Sequence, residues 1–228
     1  MRERAIEALS GPFFRDRFDA GRVLARALED ERHPAAVVIG LARGGVQVAA
    51  EVARLLHAPL DAVAVRKVRH PWQPEYAIGA VTPSGGVYLR GRNGLTEAQV
   101  AAAVAAAQNE AEELDHRLHA HRLQLELAGK NALIADDGLA TGATMVAALR
   151  WARSRGAIRV VAAIPVASTQ GVALLREEAD QVVCPNELMD FGAVGIWYDD
   201  FRQVDDHEVL RLLDEAAARG TTASNPSA

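Results

Sequence analysis

This chain reads as an α/β protein with an open parallel sheet flanked by helices. Two observations carry that reading. Short, almost wholly apolar runs alternate with helical patterns along most of the chain, as buried strands and their crossover helices do. The run at 132–135 then ends in paired carboxylates, Asp136 and Asp137, followed by a loop of glycine, alanine and threonine that opens into another helical pattern. Open sheets bind ligands beyond the carboxyl ends of their strands, so these aspartates should stand at the rim of a crevice.

Taken in order, Asp19 is placed to cap a helix running to about Glu29, with Val23, Leu24, Ala27 and Leu28 on its apolar side. Residues 35–41 form the first core strand. Ala42-Arg43-Gly44-Gly45 follows, then a helix carrying Val46, Ala49, Ala50, Ala53 and Leu56 inward. Residues 59–65 are the second strand, and 66–76 read as a basic loop punctuated by proline. Residues 77–82 and 86–89 look like a hairpin. After the strand at 132–135 come a helix over 144–154, a strand over 158–166, a helix over 170–178, and the start of a last short strand at Val182–Val183.

Residues 95–129 interrupt this rhythm as a long inserted helical segment. Thr96 and Gln99 have capping-box spacing. Val100, Val104, Ala107, Ala111, Leu114, Leu118, His121 and Leu125 then form one stripe, ended by Gly129. A continuous helix from 96 to 127 would span about 45–50 Å and would pack on the body of the domain or on another subunit. His116 and His119 share a face, but no carboxylate pattern accompanies them in the geometry zinc prefers. Residues 220–228 are small and polar and read as a disordered tail, which leaves 1–219 as a single domain.

Half of the 228 residues are hydrophobic, enough for a large core, and the net charge is −5 with both signs mixed. That balance argues against nucleic acid as the main partner, because a phosphate backbone calls for a basic face. No apolar run reaches transmembrane length, and residues 1–20 mix charges with Phe13, Phe14 and Phe18, unlike a leader peptide. The single Cys184 fits a reducing compartment and reads as a small buried hydrophobe. A cytoplasmic protein is expected.

The chemistry concentrates at 136–144. Paired carboxylates suit vicinal hydroxyls or a hard cation. A small-residue loop at a helix N-terminus suits a phosphate, since backbone N–H groups and the helix dipole both favour an anion there. Side by side they suit a phosphorylated sugar. Neither Gly-x4-Gly-Lys-Ser/Thr nor a Gly-x-Gly-x-x-Gly after the first strand occurs, which sets aside the common nucleotide folds.

The segment Ala132-Leu-Ile-Ala-Asp-Asp-Gly-Leu-Ala-Thr-Gly-Ala-Thr144 closely resembles the 5-phosphoribosyl-1-diphosphate (PRPP) motif of the type I phosphoribosyltransferases. That motif runs apolar residues, two acids, two variable residues, then Ala or Thr, Thr or Ala, Gly, a small residue and Thr. The resemblance implies the corresponding fold, with a small hood over the acceptor assembled from about 1–20 and 185–205. It implies that the backbone from Gly138 through Leu139, Ala140, Thr141, Gly142 and Ala143 to Thr144 holds the 5-phosphate, helped by both threonine hydroxyls. Asp136 and Asp137 would accept the ribose hydroxyls, directly or through Mg²⁺, touching the metal only indirectly. The loop Ala42-Arg43-Gly44-Gly45 would grip diphosphate, with a strained or cis peptide near Ala42–Arg43. Arg66 or Lys67 would add positive charge, and both fit. Among the aromatics, Trp197, Tyr198 and Phe191 either stack on a planar acceptor or fill the hood; Trp197 is the first candidate for stacking.

Two positions depart from the pattern. Some purine-using relatives carry an acid where Ala140 stands, so the general base is unassigned, with Glu75 and Asp190 as candidates. Gly138 stands where the family usually has a larger apolar residue, which would loosen the loop. The activity implied is transfer of the phosphoribosyl group to a small nitrogenous acceptor by a homo-oligomer, a dimer first. The competing readings are a non-catalytic sensor of PRPP or nucleotides and a hydrolase or phosphotransferase acting on a phosphorylated sugar at the same site.

Overall fold

Residues 12–29 and 36–223 are described by the computed structural model. The chain passes through α1 (Arg17–Ala27), β1 (Ala36–Ala42), α2 (Gly44–Leu56), β2 (Leu60–Ala64), β3 (Arg66–His70), β4 (Gln73–Val81), β5 (Val87–Leu89) and α3 (Glu97–Leu118). It continues through β6 (Asn131–Ala135), α4 (Ala143–Ser154), β7 (Arg159–Ala163), β8 (Val166–Ser168), α5 (Thr169–Glu178), β9 (Gln181–Val183) and β10 (Asn186–Leu188). A 3₁₀ turn (Val194–Trp197) and α6 (Asp206–Ala223) close it.

The central sheet has five parallel strands in the order β2-β1-β6-β7-β9. Alternate residues of each strand feed opposite faces, as the period of two requires. Val38 and Leu133 pack with Leu24, Val48, Val52 and Leu213 under α1, α2 and α6. Ile39 and Ile134 pack with Met145, Leu149 and Leu175 under α4 and α5. Because every strand runs the same way, the carboxyl ends of β1, β2 and β6 open onto one edge, and the site lies there.

Several elements differ from expectation for identifiable reasons. The cap of α1 is Asp16, whose carboxylate accepts the Asp19 N–H at 2.7 Å; Asp19 sits in the first turn and pairs with Arg15 and Arg22. Residues 66–76 are not a loop. Val68 and His70 point inward and Lys67 and Arg69 outward, so β3 and the start of β4 form an antiparallel hairpin turning at Pro71–Trp72. The strand at 158–166 breaks after Ala163, and β8 pairs with β10 in a separate ribbon. Residues 220–223 continue α6 rather than starting a tail. Residues 1–11, 30–35 and 224–228, which include most of the early hood segment, Ala35 and the rest of the tail, lie outside the described residues.

The capping box of α3 is present, but the helix stops at Leu118. His119 turns its ring between two carboxylates, with Nε2 3.0 Å from Asp61 and Nδ1 3.2 Å from Asp115. Asp61, buried on β2, also accepts the Leu125 N–H at 2.7 Å, which bends 119–127 across the sheet edge. Ala107, Ala111, Leu114 and Leu118 are buried, and α3 packs against β2, β3, β4 and α6. Among the described residues no helix is long and apolar enough to cross a membrane.

Candidate active site

β6 ends at Ala135, and Asp136 and Asp137 follow at the sheet edge. Asp136 accepts the Asp137 N–H at 2.9 Å. Asp137 receives Arg17 Nε at 2.6 Å, and Arg17 also donates from Nη1 to the Arg202 carbonyl at 2.8 Å. The guanidinium lies 3.8 Å from the centre of the Phe201 ring, a cation–π arrangement. The Tyr198 hydroxyl donates to the Asp137 carbonyl, and burial raises its pKa. Both carboxyls keep partial access to solvent, with 14% of the Asp137 side chain exposed. Desolvation still raises both pKa values. The charge of Asp137 adds to the rise at Asp136, while Arg17 pulls Asp137 back. A crowded pair of this kind is relieved by hydroxyl donors or a divalent cation.

The loop after β1 lies directly against this ledge. The Ala42–Arg43 peptide is cis, and α2 begins at Gly44 with no side-chain cap. A Cβ on Gly44 would fall 2.2 Å from Asp137 Oδ2, and one on Gly45 would fall 2.9 Å from Asp136 Oδ1. The glycines therefore allow two loops to meet, as well as leaving backbone open to an anion. Arg17, Arg43 and Arg66 line an adjoining cavity of about 360 Å³ with Ala42, Gly44, Phe201, Gln203 and Val204. Arg43 is held by Asp206 at 2.5 Å, and Asp206 also takes Arg117 at 3.0 Å. Desolvation, then the nearby Arg43, lowers the pKa of Arg66. Arg66 thus faces the cavity. Lys67 is exposed and lines a separate groove with Trp72 and Ala103, although its charge still favours ionised Asp136.

In the 138–144 loop, Ala140 and Thr141 are exposed and Thr144 is half-buried, whereas Gly138, Leu139, Gly142 and Ala143 are buried. Leu139 is not available to a phosphate: its N–H donates to Val166 and its carbonyl accepts from Ser168, in a bridge to β8. Gly142 adopts a left-handed conformation (φ 82°) immediately before α4, whose first turn has no side-chain cap. That leaves the backbone of 140–144 as the candidate cradle, shorter than expected. Gly138 does not loosen the loop, because a Cβ there would meet Val194 Cγ1 at 2.4 Å; the valine fills the space a larger residue would take.

The aromatics pack on one another. Trp197 is buried, stacks on Phe13 at 4.9 Å and donates its indole N–H to the Phe191 carbonyl at 3.0 Å. Tyr198 packs on Phe14 and Phe201, and the N–H groups of Phe13 and Phe14 both reach the Trp197 carbonyl. Trp197 is thus committed to packing and not presented to an acceptor. Glu75 and Asp190 are exposed, Glu75 on the outer part of β4. Cys184 is half-buried, with burial pushing its thiol up to about 11. Sequence reading missed Arg17, Arg90, Ser168 and Asp206. None carries a local motif, and only their tertiary partners reveal them.

An open parallel sheet with a twin-acid strand end, and a glycine-bearing loop packed against it, sets this chain among α/β proteins whose candidate site lies at the carboxyl ends of the strands. The family model described as the phosphoribosyl transferase domain matches residues 16–200, and the chain belongs to that family. A provisionally named phosphoribosyl transferase of Mycobacterium tuberculosis (strain H37Rv) is 44% identical over 211 residues, covering 89% of this chain and 47% of that protein. The chain thus spans about half the length of the curated relatives it matches. A uracil phosphoribosyltransferase of a Nocardioides species is 36% identical over 74 residues, or 32% of this chain and 35% of that protein. The crystal structure of TT1426 from Thermus thermophilus is 41% identical, with a TM-score of 0.77 over 89% of this chain and 98% of that one.

Proposed function

We propose that this protein transfers the 5-phosphoribosyl group from PRPP to a nitrogenous acceptor, a nucleobase or related heterocycle, and releases diphosphate. The observation that carries this reading is the close approach of the candidate diphosphate loop to the candidate ribose ledge, so tight that a Cβ on Gly44 would fall 2.2 Å from Asp137 Oδ2. In the reaction the anomeric C–O bond to diphosphate breaks and a C–N bond forms. The ring gains oxocarbenium-like charge on the way, so the protein's work is positioning and electrostatics.

Asp136 and Asp137 accept the ribose hydroxyls, and the backbone from Ala140 to Thr144 takes the 5-phosphate. Arg43 and Arg66 stabilise charge growing on diphosphate, with Lys67 acting at longer range. Among the described residues no group of three or more His, Cys, Asp or Glu is arranged to hold a metal ion. The crowded carboxylates of Asp136 and Asp137 fit an Mg²⁺ held mainly by substrate oxygens, which they would touch only indirectly. When bound, the ion supplies positive charge to the diphosphate oxygens. A homodimer in the cytoplasm, with small molecules and neither nucleic acid nor membrane as partners, belongs to the same reading. The comparisons give no support to the sensing alternative.

The test begins with binding. PRPP with Mg²⁺ at millimolar concentration should raise the melting temperature through ligand linkage. Asp136→Asn/Asp137→Asn should abolish that shift; the unliganded chain should still fold, with a lower melting temperature because Arg17 loses its charged partner. Diphosphate release is then followed with a panel of bases. Release with any acceptor supports transfer; binding without release across the panel favours sensing; no thermal shift at all sinks the assignment.

A further inference from the structure

Two carbonyls of the phosphate loop are held by side chains outside it. Ser168 Oγ donates to the Ala140 carbonyl at 2.6 Å, and Arg90 Nη2 donates to the Thr141 carbonyl at 3.2 Å. In a planar trans peptide the C=O and the N–H of the same unit point in opposite directions. Holding the Ala140 carbonyl therefore aims the Thr141 N–H, and holding the Thr141 carbonyl aims the Gly142 N–H. Both amides are turned away from Ser168 and Arg90, next to the uncapped first turn of α4. Gly142 is left-handed there, and successive N–H groups around such a residue make an anion-binding nest.

We infer that Ser168 and Arg90 are positioning residues for the 5-phosphate cradle, an inference that rests on the phosphoribosyl reading above. Ser168 is itself bolted in place, since its Oγ accepts the Gly171 N–H at 2.9 Å and caps α5. Arg90 follows β5 and donates its own N–H to the Ile78 carbonyl at 2.8 Å, which ties the antiparallel meander to the loop. Nearby arginines are neutralised: Arg92 by Glu97, Arg150 by Glu178 and Arg153 by Asp180. Among the described residues no carboxylate takes Arg90. Its remaining N–H donors and its whole charge stay beside the loop, where a phosphate dianion would be drawn. The strand order explains why no linear motif contains these residues: β5 and β8 reach the cradle from opposite directions in the chain.

The exposed Arg90 gives the cleaner test. Wild type, Arg90→Met and Arg90→Lys are titrated calorimetrically with ribose 5-phosphate and, separately, with inorganic diphosphate. Arg90→Met should weaken ribose 5-phosphate by about tenfold, the order expected for one charge-assisted hydrogen bond, and leave diphosphate unchanged. Arg90→Lys should recover part of the loss, and in turnover the KM for PRPP should rise with little change in kcat. Ser168→Ala, which also removes the α5 cap, is read by the ratio of the two affinities. Equal binding of ribose 5-phosphate by Arg90→Met and wild type overturns the inference, as does an equal loss for both ligands. A wild type that binds neither PRPP nor ribose 5-phosphate instead removes the phosphoribosyl reading, and the inference falls with it.

Discussion

Arg17 and Asp137 are 120 positions apart in the chain and 2.6 Å apart in the fold. The pair ties the first turn of α1 to the strand end that carries the acids. Both side chains are largely buried, 8% and 14% exposed, which makes the pair costly to break from one side.

Arg17→Met should therefore destabilise the protein by about 3–5 kcal/mol, because it leaves a desolvated carboxylate without its partner. Urea unfolding measures this directly. Adding Asp137→Asn should recover much of the loss, since no orphan charge then remains. An Arg17→Met penalty that is the same in both backgrounds would mean that packing on Phe201, not the ion pair, is what matters.

His119 makes stability depend on pH. Burial lowers its pKa, but hydrogen bonds to Asp115 and Asp61 and their charges outweigh burial and carry it to about 9, from an ordinary 6.5. The folded value lies above the unfolded one, so the fold favours the protonated ring. That contribution is complete below about pH 6.5 and is lost as pH rises through about 9. The unfolding free-energy difference between wild type and His119→Leu should accordingly be largest near pH 6 and shrink by about pH 9.5. A difference flat across that window would remove the ion pair as its source.

What could be read in advance was whatever rests on local pattern. The apolar run 132–135, the acids after it and the helix after Gly142 are all dictated by neighbours in the chain. The same holds for the turn Ala42–Gly45. The hairpin at 66–76 was hidden because its inward residues, Val68 and His70, are spaced among charges and flanked by prolines, which mimic a loop. The end of α3 was hidden for a different reason. No glycine or proline lies between Leu118 and Leu127; a histidine held by Asp61 on another strand stops the helix. Scarce aromatics such as Trp197 suit stacking or packing equally well in sequence, and only burial separates the two.

Gly138 and Val194 should behave as a matched pair. A Cβ at 138 would lie 2.4 Å and 3.1 Å from the two Val194 methyls. Gly138→Ala should cost about 1–3 kcal/mol by overpacking, and Val194→Ala should relieve much of that cost in the double variant. Melting temperatures of the two singles and the double decide it. Purely additive losses would show that the valine does not occupy the space a side chain at 138 needs.

Asp206 helps set the charge of the cavity beside the candidate diphosphate loop. Burial raises its pKa, but hydrogen bonds from Arg43 and Arg117 outweigh burial and lower it, so it stays ionised and cancels charge on the cavity wall. Of the three arginines lining that space, Arg17 is already neutralised by Asp137, and Arg66 is only loosely engaged by Glu110 at 3.9 Å. Asp206→Asn keeps an acceptor oxygen for Arg43 and removes the negative charge. Inorganic diphosphate should then bind about fivefold more tightly at low salt, with the gain shrinking as salt rises, as expected for a partly exposed charge. Calorimetric titration at two ionic strengths makes the comparison. Unchanged affinity at both would mean that the leaving group does not occupy this cavity, and Arg43 would be a structural brace between α2 and α6.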